Sequence, residues 1–180
     1  MEILIKPLEG IFFNDEKILL NEKVDEIKKR FDSYEESKKS KWSNEKIWLR
    51  EYEICLEIDN DEVISIMLHG GYNSKHKVIC YDINIFENKA DIVLDLLNKQ
   101  YSGNILEEDG YSYIYYDTSL SVYREFLPDE YEDEEEFIKE WSSDTCSKEE
   151  AKVIYDEDSK KAFYWNSILI GIKDYYKNIL

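Results

Sequence analysis

Two rhythms of apolar and polar positions run along this chain, one with the period of a strand and one with that of a helix. Ile3, Leu4 and Ile5, then Gly10-Ile11-Phe12-Phe13, form short apolar runs on either side of Pro7 and predict two strands. Val24, Ile27 and Phe31 recur at i, i+3 and i+7, which predicts a helix ending near Phe31 with Asn21 as its N-cap. The following stretch, SYEESKKSKWSNEK, is polar and mixed in charge and reads as an exposed loop. Beyond it Tyr52, Ile54, Leu56 and Ile58 alternate with charged or small residues, so one face of a strand meets a core and the other meets water. Asn60-Asp61 then turns the chain into Val63, Ile64, Ile66 and Leu68, and His69-Gly70-Gly71 ends the hairpin.

The pattern then repeats. Val78 to Ile83 reads as a strand, and Asn88 to Lys99 as a helix with Ile92, Val93, Leu96 and Leu97 on its buried face. Gly110 leads into a second hairpin, Tyr111 to Tyr116 and Leu120 to Phe126, around a turn at Asp117 to Ser119. Two weak copies of strand, helix and hairpin thus span about residues 10 to 68 and 78 to 126. Merging their hairpins predicts an α+β fold, an antiparallel sheet with the helices packed on one face. Past Pro128 the composition changes. Glu132 to Trp141 predicts a short acidic helix that buries Phe137, Ile138 and Trp141, and Ser147 with Glu150 predicts a capping box opening a further helix to about Lys160. The last segment, Ala162 to Tyr176, alternates as a strand does, with helix as the alternative.

With two prolines, six glycines and no Gly/Ser-rich stretch, nothing marks an interdomain linker, so residues 1–180 are expected to form a single domain. Four Trp, fifteen Tyr and seven Phe supply enough apolar surface to offset the entropy of ordering. The three cysteines, Cys55, Cys80 and Cys146, lack CxxC spacing, which argues against a zinc site or a disulfide framework. Cys55 and Cys80 lie in apolar runs and read as buried free thiols. An acid at position 2 and no basic n-region argue against a signal peptide, and no apolar run approaches the roughly 20 residues of a membrane span. A cytoplasmic location is expected.

Charge changes the picture most. Against 23 Lys and Arg stand 41 Asp and Glu, a formal net charge of -18, and DEYEDEEE at Asp129 to Glu136 is the peak. That field repels nucleic acid and membrane phosphates and speeds encounter with a cationic partner. The basic residues from Lys28 to Arg50 are interleaved with acids, which is no nucleic-acid footprint. No nucleophile with its base, no P-loop after Gly70-Gly71 and no EF-hand spacing is present, and His69 and His76 lack a second ligand group at metal spacing. The reading is therefore of a protein without catalytic residues, metal or cofactor. An enzyme assembled from scattered residues would need a pocket joining a carboxylate to His69 or His76.

The stretches LEGIFFNDEKILLNEKVDEIKKRF and IDNDEVISIML, with their echo in GYSYIYYDTSLSVYREF, resemble small bacterial immunity proteins of polymorphic toxin and contact-dependent growth inhibition systems. The likeness covers about residues 8 to 126 and rests on a rhythm of Gly, apolar pairs and a Tyr-rich hairpin. It implies a non-enzymatic binder that neutralises a cognate toxin domain, often a nuclease, by blocking its active site or an exosite. The alternative is an acidic adaptor or nucleic-acid mimic that binds another basic protein. The composition points to Asp129, Glu130, Glu132, Asp133, Glu134, Glu135 and Glu136 as steering charges, and to Tyr123, Tyr131 and Trp141 as aromatic anchors. Core packing is the competing role for each aromatic.

Overall fold

The computed structural model describes residues 1–41, 43–101, 103–143 and 145–178. The chain opens with β1 (Glu2–Lys6), β2 (Gly10–Phe13) and β3 (Glu16–Leu19), an antiparallel meander, followed by α1 (Val24–Arg30). Four strands come next: β4 (Glu35–Ser37), β5 (Glu45–Leu49), β6 (Ile54–Asp59) and β7 (Glu62–His69). The second half begins with β8 (Lys77–Cys80), β9 (Ile83–Asn84) and α2 (Ala90–Gln100). It continues through β10 (Ile105–Glu108), β11 (Ser112–Tyr115) and β12 (Leu120–Tyr123), then α3 (Glu134–Trp141) and α4 (Lys148–Lys161), and closes with β13 (Ser167–Gly171).

The fold is α+β, as the pattern predicts, but with two sheets in place of one. The smaller has the order β3-β2-β1-β8-β9, and its β1–β8 pair is parallel. The larger, β10-β11-β12-β13-β7-β6-β5-β4, is antiparallel throughout. Both predicted hairpins, β6–β7 and β11–β12, lie in the larger sheet, and β13 joins them. The final segment is therefore a strand.

Alternation decides what faces the core. Ile3, Ile5, Ile11, Phe13, Ile18 and Val78 of the small sheet meet Ile54, Leu56, Ile66, Leu68, Leu120, Val122, Ile168 and Ile170 of the large one in a single buried cluster. Val24 and Ile27 of α1 and Ala90, Val93 and Leu97 of α2 fill the same cluster. Each fully buried Ile or Leu stabilises by about 1.5–3 kcal/mol relative to exposure. Cys55 and Cys80 are buried free thiols, and loss of hydration pushes them up to about 11 and about 12.

Several local expectations change. Lys23, not Asn21, occupies the N-cap of α1, and no side chain caps it. Asn21 instead sits at φ 63° with its N–H bonded to the Val63 carbonyl. Tyr81 and Asp82 both have positive φ and break the predicted strand at 78–83 into the β8–β9 hairpin. Tyr52 belongs to a 3₁₀ turn, Arg50–Tyr52, ahead of β6. In α2, Ile92 is half exposed.

The structure also redraws the repeat. β5 passes to β6 through that 3₁₀ turn and left-handed Glu53, whose N–H returns to the Arg50 carbonyl. β11 passes to β12 through a 3₁₀ turn at Tyr116–Thr118 and left-handed Ser119, whose N–H returns to the Tyr116 carbonyl. So β4-β5-β6-β7 corresponds to β10-β11-β12-β13, and the two meanders meet at β7 and β13. The second copy extends to Gly171, and residues 124–166 are inserted between its last two strands.

Candidate functional site: the inserted helical arm

The insertion folds because its ends are capped and its middle is aromatic. The Asp133 carboxylate accepts from the Glu136 N–H at 3.0 Å and starts α3. Glu134, Glu135 and Glu136 sit in the first turn, where the helix dipole favours negative charge. Ser147 and Glu150 form the predicted capping box: Ser147 Oγ accepts from Glu150 N–H at 3.2 Å, and Glu150 Oε2 accepts from Ser147 N–H at 2.8 Å. Between the helices, Tyr131 packs on Phe126, Phe137 and Tyr155 with ring centroids 5.4–5.9 Å apart. Tyr155 OH donates to the Tyr131 carbonyl at 2.8 Å. None of Tyr131, Ala151 and Ala162 joins either of the body's buried clusters, so the arm has a small core of its own.

The acidic run divides by role. Glu130 accepts from Tyr111 OH and from the Leu127 N–H, both at 2.7 Å, and Glu134 pairs with Lys152 at 2.7 Å. With Asp133 serving as a cap, three of the seven predicted steering charges hold the arm together. Asp129, Glu132, Glu135 and Glu136 are exposed and make no ion pair among the described residues. Asp129, Glu130, Glu132, Asp133, Glu136 and Glu140 surround Phe137 in a concavity of about 280 Å³ that no basic residue among those described lines.

The predicted anchors separate. Tyr131 is 8% exposed, and burial pushes its phenol up to about 12, so it is a packing residue of the arm and not an accessible anchor. Trp141, expected to be buried by its helix, is 53% exposed and stacks on Phe137 at 5.2 Å, which leaves it open to a partner. Tyr123 is exposed but lies outside the arm. It lines a different concavity, about 450 Å³, on the outer face of the large sheet with Met67, His69, Ser121, Glu125 and Leu169. Phe137 and Glu140 were missed. Their signal in the sequence was the i, i+4 spacing of Asp133, Phe137 and Trp141 and the i, i+4 spacing of Glu136 and Glu140.

The two histidines lie apart in the fold, His69 at the end of β7 and His76 in the loop before β8. His69 is half-buried in β7 and stacks on Trp48 at 5.2 Å, with its Nε2 lacking a partner among the described residues, while His76 Nε2 lies 3.2 Å from the Glu51 carbonyl oxygen. Among the described residues no group of three or more His, Cys, Asp or Glu side chains converges to hold a metal ion. None of the described helices is long and apolar enough to cross a membrane. The chain matches no family model, no curated protein and no solved structure.

Proposed function

We propose that this chain is a cytoplasmic immunity protein, a non-enzymatic binder that neutralises a basic toxin domain, such as a nuclease, by covering its active site or an exosite. The observation that carries the reading is the inserted arm. Of two corresponding meanders only one is interrupted, and the interruption presents an acidic concavity around Phe137 beside an exposed Trp141. A nuclease domain is cationic where it meets phosphate, so this arm competes for that surface and associates fast. Each exposed carboxylate contributes about 1 kcal/mol or less, and most of the affinity comes from a few aromatic anchors.

The test is co-expression with the C-terminal domain of a large secreted protein encoded beside this gene, scored by growth and co-purification. The expected result is rescue with a 1:1 complex that is lost when Trp141→Ala is combined with Asp129→Asn, Glu132→Gln, Glu135→Gln and Glu136→Gln. Rescue that survives those changes moves the interface off the arm. Absence of rescue and of a complex, together with capture of several unrelated basic proteins at low salt, would instead mark an acidic adaptor.

A further inference from the structure

Where the arm returns to the body, the surface changes character. Tyr72, Tyr131, Tyr155, Phe163 and Tyr164 line a pocket of about 400 Å³ with Pro128, Ser159, Lys89 and Lys160. Its volume is in the range of ordinary small-ligand sites. Two of its walls are exposed aromatics, Tyr72 at 41% and Phe163 at 44%, and Tyr72 packs on Tyr164 with centroids 5.1 Å apart. Two exposed rings in one pocket offer faces for a planar ligand to stack on.

The charges are the unexpected part. On a chain of net charge -18, the only charged side chains that line this pocket among the described residues are lysines. Lys89 Nζ lies 5.2 Å from the centroid of the Phe163 ring, which places its ammonium at the aromatic wall. Neither Lys89 nor Lys160 makes an ion pair among the described residues. By contrast, Lys152 and Lys161 on the same helix as Lys160 are held by Glu134 and Asp158 at 2.7 Å. Lys89 is also the N-cap of α2, the positive end of an eleven-residue helix. An aromatic cradle with two ammonium groups that pair with no carboxylate among the described residues complements a planar ring that carries a negative charge.

We propose that this pocket binds a small planar aromatic anion of the nucleoside monophosphate class, its base against the tyrosine and phenylalanine rings and its phosphate between Lys89 and Lys160. The proposal does not depend on toxin binding. Stacking of a base on an aromatic side chain and charge-assisted bonds from Lys to phosphate are each strong enough to read individually.

Isothermal titration of the full chain with AMP, adenosine and ribose 5-phosphate at about 0.15 M salt tests it. AMP is expected to bind about tenfold or more tightly than either fragment, because only AMP engages both halves of the pocket. Lys89→Glu with Lys160→Glu, both at exposed positions, should weaken AMP by about tenfold or more, and Phe163→Ala should weaken AMP and adenosine together. Lys148→Glu, also on α4 but outside the pocket, should leave AMP unchanged. If AMP binds no better than ribose 5-phosphate, binds equally well to the double variant, or does not bind, the proposal is wrong.

Discussion

The two meanders of the large sheet share a plan through three strands and diverge before the fourth. Both contain a strand, a 3₁₀ turn closed by a left-handed residue, and a second strand: Glu53 at φ 57°, ψ 33° in one copy, and Ser119 at φ 47°, ψ 42° in the other. The first copy then returns at once through Asn60 and Asp61, both at positive φ as a tight hairpin demands. The second departs at Tyr123 and comes back only at Ser167, though these two residues are themselves register partners. β12 and β13 pair directly across the insertion, so the ladder of the sheet is continuous there. What the arm adds is surface, and its sequence from Pro128 to Lys161 contains 14 Asp and Glu against 5 lysines.

The largest effect expected from this comparison comes from making the second copy like the first. Replacing residues 126–163 by a short Gly/Ser linker keeps Arg124, buried Trp165 and the Tyr123–Ser167 pair. It should abolish binding to the proposed basic partner while leaving a cooperative thermal transition and the β-sheet circular dichroism signal. If the excised protein fails to fold, the arm is part of the body's architecture and the division drawn between them is mistaken.

Next in size are paired truncations of one side chain on each side of that division. Leu56, fully buried in the first meander, contacts the common cluster, so Leu56→Ala should lower global stability by about 2–5 kcal/mol in denaturant titration. Tyr131→Ala removes the ring at the centre of the arm's aromatic group. Its effect should appear in hydrogen exchange as lost protection in α3 and α4, with the body's amides unchanged. Equal loss of protection throughout both regions in the Tyr131→Ala variant would mean that arm and body fold as one unit.

How much of this was readable beforehand follows from how each residue is used. Strands with one wet face and one dry face, such as β6 and β7, declare themselves through alternation, and Asn60-Asp61 declares the turn between them. The Ser147–Glu150 box was legible because both of its hydrogen bonds are local in sequence. β4 and β10 were not, because they are the edges of the large sheet. All three β4 residues are exposed, as are three of four in β10, so no apolar period marks them. The acidic run was visible as charge, but its division into a cap, an ion pair and free carboxylates depends on Tyr111 and Lys152, which lie about 20 residues away on either side. Tyr131 and Trp141 look alike in sequence, as aromatics among acids. Only the packing of Phe126 and Tyr155 on one of them separates a core residue from an anchor.

The smallest effect is expected at the seam between the two meanders, where His69 of β7 pairs with Ser167 of β13. Burial holds the imidazole below its ordinary 6.5; Glu53 opposes this, while Arg50 and Lys46 reinforce it. The buried Nε2 has no partner among the described residues to reward protonation. The folded state therefore binds this proton less readily than the unfolded chain does. The stability this contributes is complete above 6.5 and is lost as pH falls below it towards the folded-state value. His69→Gln cannot take up a proton, yet it shares every carboxylate with the natural chain, so the difference between the two proteins isolates the histidine. Denaturant titrations from about pH 7.5 to about pH 5.5 should show the natural chain losing more stability than His69→Gln. Equal losses would mean that the imidazole is hydrated or partnered in solution, and that the joint between the meanders is looser than its register implies.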